Sequence, residues 1–341
     1  MEIIRNSKAA IQLEKETDLK IVDIGIPYPN SQELIVKLVS TGICHSQLNQ
    51  MNHPILERPM LLGHEGFGQV TEIGPNVKNI KEGDHVIITW IPCAPDLIEK
   101  NKATIKIKFG GKEINVETFT WSQYIVTDIN HIIKIPSHKA YISKNNCIIG
   151  CPIPAGAGAV LNTAKVKEGE SVAVFGMGGV GLSAICMASV LQANPIIAVD
   201  LEDEKLDFAK KFGASHTINP KNHDPVDKIK ALTNGGVEYA FHATASKTTA
   251  EQILQCTRGG GPGINNIGGM ALLVGTAGME VNLDSRLILG GQRQYVGSLA
   301  AVDPERDFIK FLDLQKNGKL KIDKLVTNEY KLEILMKHVT I

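Results

Sequence analysis

The first part of the chain alternates short apolar runs with polar turns. Leu34-Ile35-Val36-Lys37-Leu38-Val39 is apolar and β-branched, and the turn sequence Pro27-Tyr28-Pro29-Asn30 precedes it. Gly68-Gln69-Val70-Thr71-Glu72-Ile73-Gly74 reads as another strand and turn. Lys81-Glu82-Gly83-Asp84 is a turn before the strand His85-Val86-Ile87-Ile88-Thr89-Trp90. Strands without long helices between them predict an antiparallel, barrel-like first domain. Residues 96–119 are polar and lysine-rich around Gly110-Gly111, which predicts a surface loop or hairpin. Past Cys151 the pattern changes. The apolar runs 171–175, 195–199, 237–241 and 270–275 read as strands, and Glu202–Phe212 places Leu206, Phe208, Ala209 and Phe212 at helical spacing. Such alternation predicts a parallel sheet in the second half.

One stretch of that second half carries chemistry. Gly176-Met177-Gly178-Gly179-Val180-Gly181 lies between the strand Ser171-Val172-Ala173-Val174-Phe175 and the apolar helix opening at Leu182. The next apolar run, Pro195–Val199, ends in Asp200, an acid about 20 residues past the glycines, as a dinucleotide site requires. Glycines there let the backbone turn tightly and approach a pyrophosphate, and the helix N-terminus offers free N–H groups to it. A lone glycine pattern is weak evidence; strand, helix, second strand and acid together point to cofactor binding. Asp200 can accept from ribose hydroxyls and repels a 2′-phosphate, which favours NAD over NADP. Gly259-Gly260-Gly261-Pro262-Gly263 is read as a flexible loop, because no lysine and Ser/Thr follow it.

Length and composition narrow the classes. A chain of 341 residues suggests two domains. Lysine plus arginine equals aspartate plus glutamate at 36 each, so no basic excess points to nucleic acid or an anionic membrane. The N-terminus lacks the layout of a signal peptide, and no apolar run is long enough to span a bilayer. Six scattered cysteines fit a reduced, cytoplasmic protein better than a disulfide framework.

Cys44, His64 and Cys151 each sit beside glycine-rich turn sequence. Thiolate and imidazole suit zinc, and three protein ligands with an open position make a catalytic site. Taken singly, each of these residues is more often a core or surface residue than a ligand.

The motifs Gly42-Ile43-Cys44-His45-Ser46, Gly63-His64-Glu65-Gly66-Phe67-Gly68, Gly83-Asp84-His85-Val86, Gly150-Cys151 and the Gly176–Gly181 turn with Asp200 occur in one order along nearly the whole chain. In that combination the chain resembles the zinc-dependent alcohol dehydrogenases of the medium-chain dehydrogenase/reductase family. The resemblance implies an α/β protein with a GroES-like β-barrel catalytic domain over 1–152, with a return segment over 300–341, and a Rossmann doubly wound parallel-sheet cofactor domain over 153–299. It implies a zinc-dependent transfer of a hydride between an alcohol and NAD, with Cys44, His64 and Cys151 as zinc ligands. Ser46 stands where a hydroxyl takes the alcohol proton, and Glu65 is the carboxylate near the metal, either supporting the ligands or a transient ligand itself. His45 stands at the pyrophosphate, and Gly176, Gly178, Gly179, Val180 and Gly181 form the cofactor turn. Asp200 and Lys205 stand at the adenosine ribose, and Val274, Gly275 and Thr276 beside the nicotinamide. Trp90 and Leu299 are expected to line the substrate pocket. His45 and Lys205 as solvated side chains, and Trp90 as plain core, are the simpler readings.

Several positions depart from the family pattern. Many members hold a second zinc with four closely spaced cysteines after the Gly83-Asp84 turn; only Cys93 stands in that region, so one catalytic zinc and no structural zinc are expected. Cys147, Cys186 and Cys256 read as buried thiols. Gln47 replaces the acid that orients the zinc histidine, and Asn49 stands in the place of a relay histidine. Members usually continue beyond the point where this chain ends, through a helix and a strand that return to the barrel. Leu287-Ile288-Leu289-Gly290-Gly291 with Arg293–Gly297 resembles the family's edge strand, from which a homodimer is expected. Two other readings stay open: a zinc-free quinone or enone reductase on the same fold, and a non-catalytic relative that keeps cofactor binding.

Overall fold

A computed structural model describes residues 2–15, 17–94, 105–275, 280–337 and 339. The chain divides into two compact units. One comprises Met1–Cys151, Asp303–Lys316 and Ile322–Ile341, the other Pro152–Val302 and Asn317–Lys321.

The first unit is built from strands β1 (Ile3–Gln12), β2 (Lys20–Pro27), β3 (Glu33–Thr41), β4 (Met60–Leu61), β5 (Glu65–Ile73), β6 (His85–Thr89), β7 (Ile105–Phe109), β8 (Lys112–Val116), β9 (Tyr124–Asp128) and β10 (Ile132–Lys134). They form two five-stranded sheets, ordered β4-β1-β2-β7-β8 and β10-β6-β5-β3-β9, with antiparallel pairing throughout. Ile24, Ile26, Ile105 and Ile107 of the first sheet pack in one cluster with Leu34, Val36, Val70, Val86, Ile88 and Val126 of the second. Each such fully buried side chain contributes about 1.5–3 kcal/mol. The lysine-rich segment that the structure describes is a hairpin, β7 to β8, turned by Gly110 and Gly111 at φ +58° and +80°. Positive φ at both central residues matches the twist of the strands. Positions 96–104 lie outside the described residues.

Between β3 and β4 runs α1 (His45–Asn52). Its Leu48 and Met51 pack on a second cluster with Leu19, Leu62, Trp121 and Leu335. That cluster ties the start of α1 to the turn before β5, and both carry candidate ligands.

The second unit contains α2 (Pro152–Gly158), β11 (Val172–Phe175), α3 (Gly179–Val190), β12 (Ile196–Val199), α4 (Asp203–Lys210), β13 (His216–Ile218), α5 (Pro225–Thr233), β14 (Tyr239–His242), α6 (Lys247–Gln255), β15 (Met270–Leu273), α7 (Ser285–Gly291) and β16 (Gln294–Gly297). All six strands are parallel, in the order β13-β12-β11-β14-β15-β16. Counted within the unit this is 3-2-1-4-5-6, whose order reverses between β11 and β14. Every residue of β11 and β12 is buried, as a parallel sheet covered on both faces requires. The apolar run Leu287–Gly291 is the end of a helix, not of an edge strand; Asp284 caps that helix by accepting the Arg286 N–H at 2.9 Å. The edge strand itself is Gln294–Gly297. The remaining helices, α8 (Pro304–Lys316) and α9 (Ile322–Leu325), belong to the first unit. Among the described residues no helix is long and apolar enough to cross a membrane.

Candidate metal centre and cofactor turn

Three loops of the first unit bring Cys44, His64 and Cys151 together. Cys44 is the N-cap of α1, His64 precedes β5, and Cys151 closes the 3-10 segment Lys144–Gly150. Their ligand atoms all lie within 4.8 Å of one another, and among the described residues no other such group of three or more occurs. The Cys44 and Cys151 sulfurs are 3.8 Å apart. Two sulfurs about 2.3 Å from a tetrahedral zinc would also lie about 3.8 Å apart. His64 Nε2 is closer to Cys151 Sγ, at 3.1 Å, in direct hydrogen-bond contact. Two thiols and an imidazole, Cys44 and His64 half-buried and Cys151 buried, are a donor set that fits zinc.

The charges in the cluster are strongly coupled. Hydrogen bonds from Cys151, then His64 and Ser46, hold the Cys44 thiol far below its usual range against the opposing effect of burial. Cys151 moves the other way, first through its bond to Cys44 and then through burial. Glu65 is 2% exposed and held well above the usual carboxylate range, mainly by burial and then by the Cys44 charge. Its Oε2 is buried without a hydrogen-bond partner among the described residues.

Room for Glu65 comes from two glycines. A Cβ on Gly42 would fall on the Glu65 carboxyl group, and one on Gly150 would lie 2.8 Å from Glu65 Cβ. The backbone around the site is pinned by groups that sequence patterns do not reveal. Thr41 and Thr120 hydroxyls donate to the Glu65 carbonyl at 2.8 and 3.0 Å, and the Trp121 indole N–H donates to the Gly42 carbonyl at 3.0 Å. Strand register sets Thr41 opposite Gly66, and backbone bonds from Thr120 N–H to the Gly63 carbonyl and from Trp121 N–H to the Leu62 carbonyl bring the other two to the site.

The other expected site residues of this unit are spread around the cluster. Ser46 Oγ donates to Cys44 Sγ at 3.3 Å, and the Trp90 ring lies 6.3 Å from that of His64. His45 and Asn49 are exposed on α1. Cys93 donates to the Ile132 carbonyl at 3.9 Å, and burial, with Glu305 and Asp303, pushes its thiol up to about 12.

In the second unit the glycine turn follows β11 at the point where the strand order reverses. Gly176 has φ +99°, and a Cβ there would press on Thr244 at 2.5 Å. A Cβ on Gly181, in the first turn of α3, would strike the Gly176 carbonyl, so that position takes only glycine. Gly178 is different: a Cβ there meets nothing within 4 Å. Packing within the chain does not account for that glycine. Asp200 Oδ2 accepts the Met177 N–H at 2.7 Å and Oδ1 the Glu202 N–H at 3.1 Å, which fixes the carboxylate at the rim of the turn. Lys205 pairs with Glu202 at 2.7 Å. Val274 and Gly275 follow β15 and donate their N–H groups to the His242 carbonyl. Thr276 lies outside the described residues. Leu299 is 81% exposed.

The chain matches two family models, the alcohol dehydrogenase GroES-like domain over residues 30–137 and the zinc-binding dehydrogenase over residues 179–317. It is 31% identical to the S-(hydroxymethyl)glutathione dehydrogenase of Paracoccus denitrificans, over 97% of this chain and 95% of that one. The class-3 alcohol dehydrogenase of Dictyostelium discoideum is 32% identical, over 95% and 92%. This chain belongs to the zinc-dependent alcohol dehydrogenases of the medium-chain dehydrogenase/reductase family. Among solved structures, benzyl alcohol dehydrogenase from Acinetobacter calcoaceticus aligns with a TM-score of 0.86 at 29% identity, covering 98% of this chain and 95% of that one. The two units are accordingly a GroES-like domain and a Rossmann-type parallel sheet, and the enzyme is a zinc-dependent alcohol oxidoreductase.

Proposed function

We propose that the enzyme oxidises a small-molecule alcohol with NAD, and reduces an aldehyde or ketone in reverse, at a single catalytic zinc per chain. The convergence of Cys44, His64 and Cys151 ligand atoms within 4.8 Å carries this reading. A zinc ion held by those three residues supplies Lewis acidity that eases deprotonation of a substrate hydroxyl, and NAD supplies the hydride acceptor. Cys44 and Cys151 would give up their thiol protons on metal uptake. Ser46 Oγ takes the substrate proton, and Glu65 is the carboxyl group beside the ligands. Trp90 walls the substrate pocket, with Leu299 as a further lining residue.

On the cofactor side, His45 contacts the pyrophosphate, and Gly176, Gly178, Gly179, Val180 and Gly181 cradle it. Asp200 and Lys205 hold the adenosine ribose, Lys205 exchanging its present bond to Glu202. Val274, Gly275 and Thr276 flank the nicotinamide. Cys93 alone cannot build a four-thiolate centre, so no structural zinc is assigned. We assign residues 1–152, with the return segment 300–341, to the catalytic domain and 153–299 to the cofactor domain. The enzyme works as a cytoplasmic homodimer, with the β16 edge paired to its copy.

The test is NADH absorbance with a panel of alcohols, for wild type and Cys44→Ala. Turnover in wild type, lost together with zinc in the variant, is expected. Undiminished turnover after zinc is stripped from the wild type would overturn the reading.

A further inference from the structure

Gln47 is 1% exposed and sits on the first turn of α1, where its amide joins two of the three ligands. Its Oε1 accepts the Cys44 backbone N–H at 2.9 Å, and its Nε2 lies 2.7 Å from His64 Nδ1. Nε2 also reaches Ser46 Oγ at 3.5 Å. The other ring nitrogen, His64 Nε2, faces Cys151 Sγ. With no ion on the ring these contacts are mutually consistent. The amide nitrogen only donates, so Nδ1 accepts, and the single ring proton sits on Nε2 and points at the sulfur.

A metal on Nε2 reverses the polarity. Its bond uses the Nε2 lone pair, so the one proton of a neutral imidazole moves to Nδ1. Nδ1–H and the Cys44 N–H are then two donors facing one amide with one acceptor oxygen. Turning the amide over serves the ring and sets its NH2 against the Cys44 N–H; leaving it in place does the reverse. A carboxylate of the same length would accept from both.

We propose that Gln47 is a positioning residue that biases the centre toward its metal-free form, so that zinc is held more loosely than this ligand set otherwise allows. The inference rests on Cys44, His64 and Cys151 being the zinc ligands. It is tested on the full chain by competing zinc against a chromogenic chelator of known affinity. Gln47→Glu should tighten zinc by about ten- to a hundredfold. Gln47→Leu removes the amide from both states and should bind zinc no more weakly than wild type, whereas a mere scaffold for the histidine would lose affinity. Long-range ¹H–¹⁵N spectra of the metal-free wild type should show His64 protonated on Nε2. Unchanged or weaker zinc binding in Gln47→Glu, or an Nδ1-protonated ring in metal-free wild type, would overturn the inference. Loss of zinc in Cys44→Ala alongside either result leaves the site itself standing. Cys44→Ala that binds zinc as wild type does would instead refute the ligand assignment.

Discussion

Gly42 and Glu65 should be energetically coupled, and a double-mutant cycle measures that coupling. The backbone of Gly42 lies outside the left-handed region, so alanine meets no conformational penalty there. The penalty is contact alone: its Cβ would land on the Glu65 carboxyl group and lie 2.9 Å from Glu65 Cγ. Glu65 is buried and hemmed in by Gly150, so the carboxyl has little room to turn. Overpacking of this kind costs about 1–3 kcal/mol. Loss of a glycine from the unfolded chain returns about 0.4–1 kcal/mol. Gly42→Ala should therefore be destabilising in wild type and neutral to mildly stabilising in a Glu65→Ala background, a coupling of about 1–3 kcal/mol. Glu65→Ala alone removes a buried oxygen that has no partner among the described residues and leaves a cavity, and the cycle cancels both effects. Denaturant melts of the four metal-free proteins supply the cycle. An equal cost of Gly42→Ala in both backgrounds would refute the packing argument.

Asp84 accepts the Lys81 N–H at 2.9 Å and pairs with Lys134 at 2.7 Å. Burial works against its charge, but these bonds outweigh burial and depress its pKa, so its stabilisation is full above about 3.9 and is lost as pH falls through the depressed value. Asp84→Asn should cost about 1 kcal/mol at neutral pH, with the two melts converging in acid; a gap that persists there contradicts this. Asp200→Ser removes both a ribose acceptor and the charge that repels a 2′-phosphate, bonds worth about 1.5–3 kcal/mol each. The NAD to NADP ratio of kcat/KM should fall at least tenfold, and an unchanged ratio would mean that Asp200 does not meet the ribose. Light scattering at micromolar concentration should give a dimer; a clean monomer would remove the proposed β16 pairing.

The strands and helices were legible where one period dominates. Val172–Phe175 and Asp203–Lys210 carry plain apolar-run and helical patterns, and Gly110-Gly111 marks its hairpin. Leu287–Gly291 misleads because a short apolar run has no period of its own; the cap at Asp284 was the signal for a helix. The three ligand types were visible in the sequence, but their meeting across 107 residues between Cys44 and Cys151 comes from the fold and from the family motifs. Trp121, Thr41 and Thr120 were not legible, since sheet register carries Thr41 to the site and loop backbone bonds to Gly63 and Leu62 carry Thr120 and Trp121. The opposed donors at Gln47 likewise needed distances, because residue type shows a missing charge but not which atoms face which.

The central claim is that Cys44, His64 and Cys151 hold one zinc with an open position. X-ray absorption at the zinc edge of the metal-loaded enzyme, with elemental analysis of the same sample, reads this directly. The account predicts one zinc per chain, bound by two sulfurs at about 2.3 Å and by lighter nitrogen and oxygen atoms at about 2.0–2.1 Å. Two zincs per chain, or a shell of four sulfurs, would contradict it.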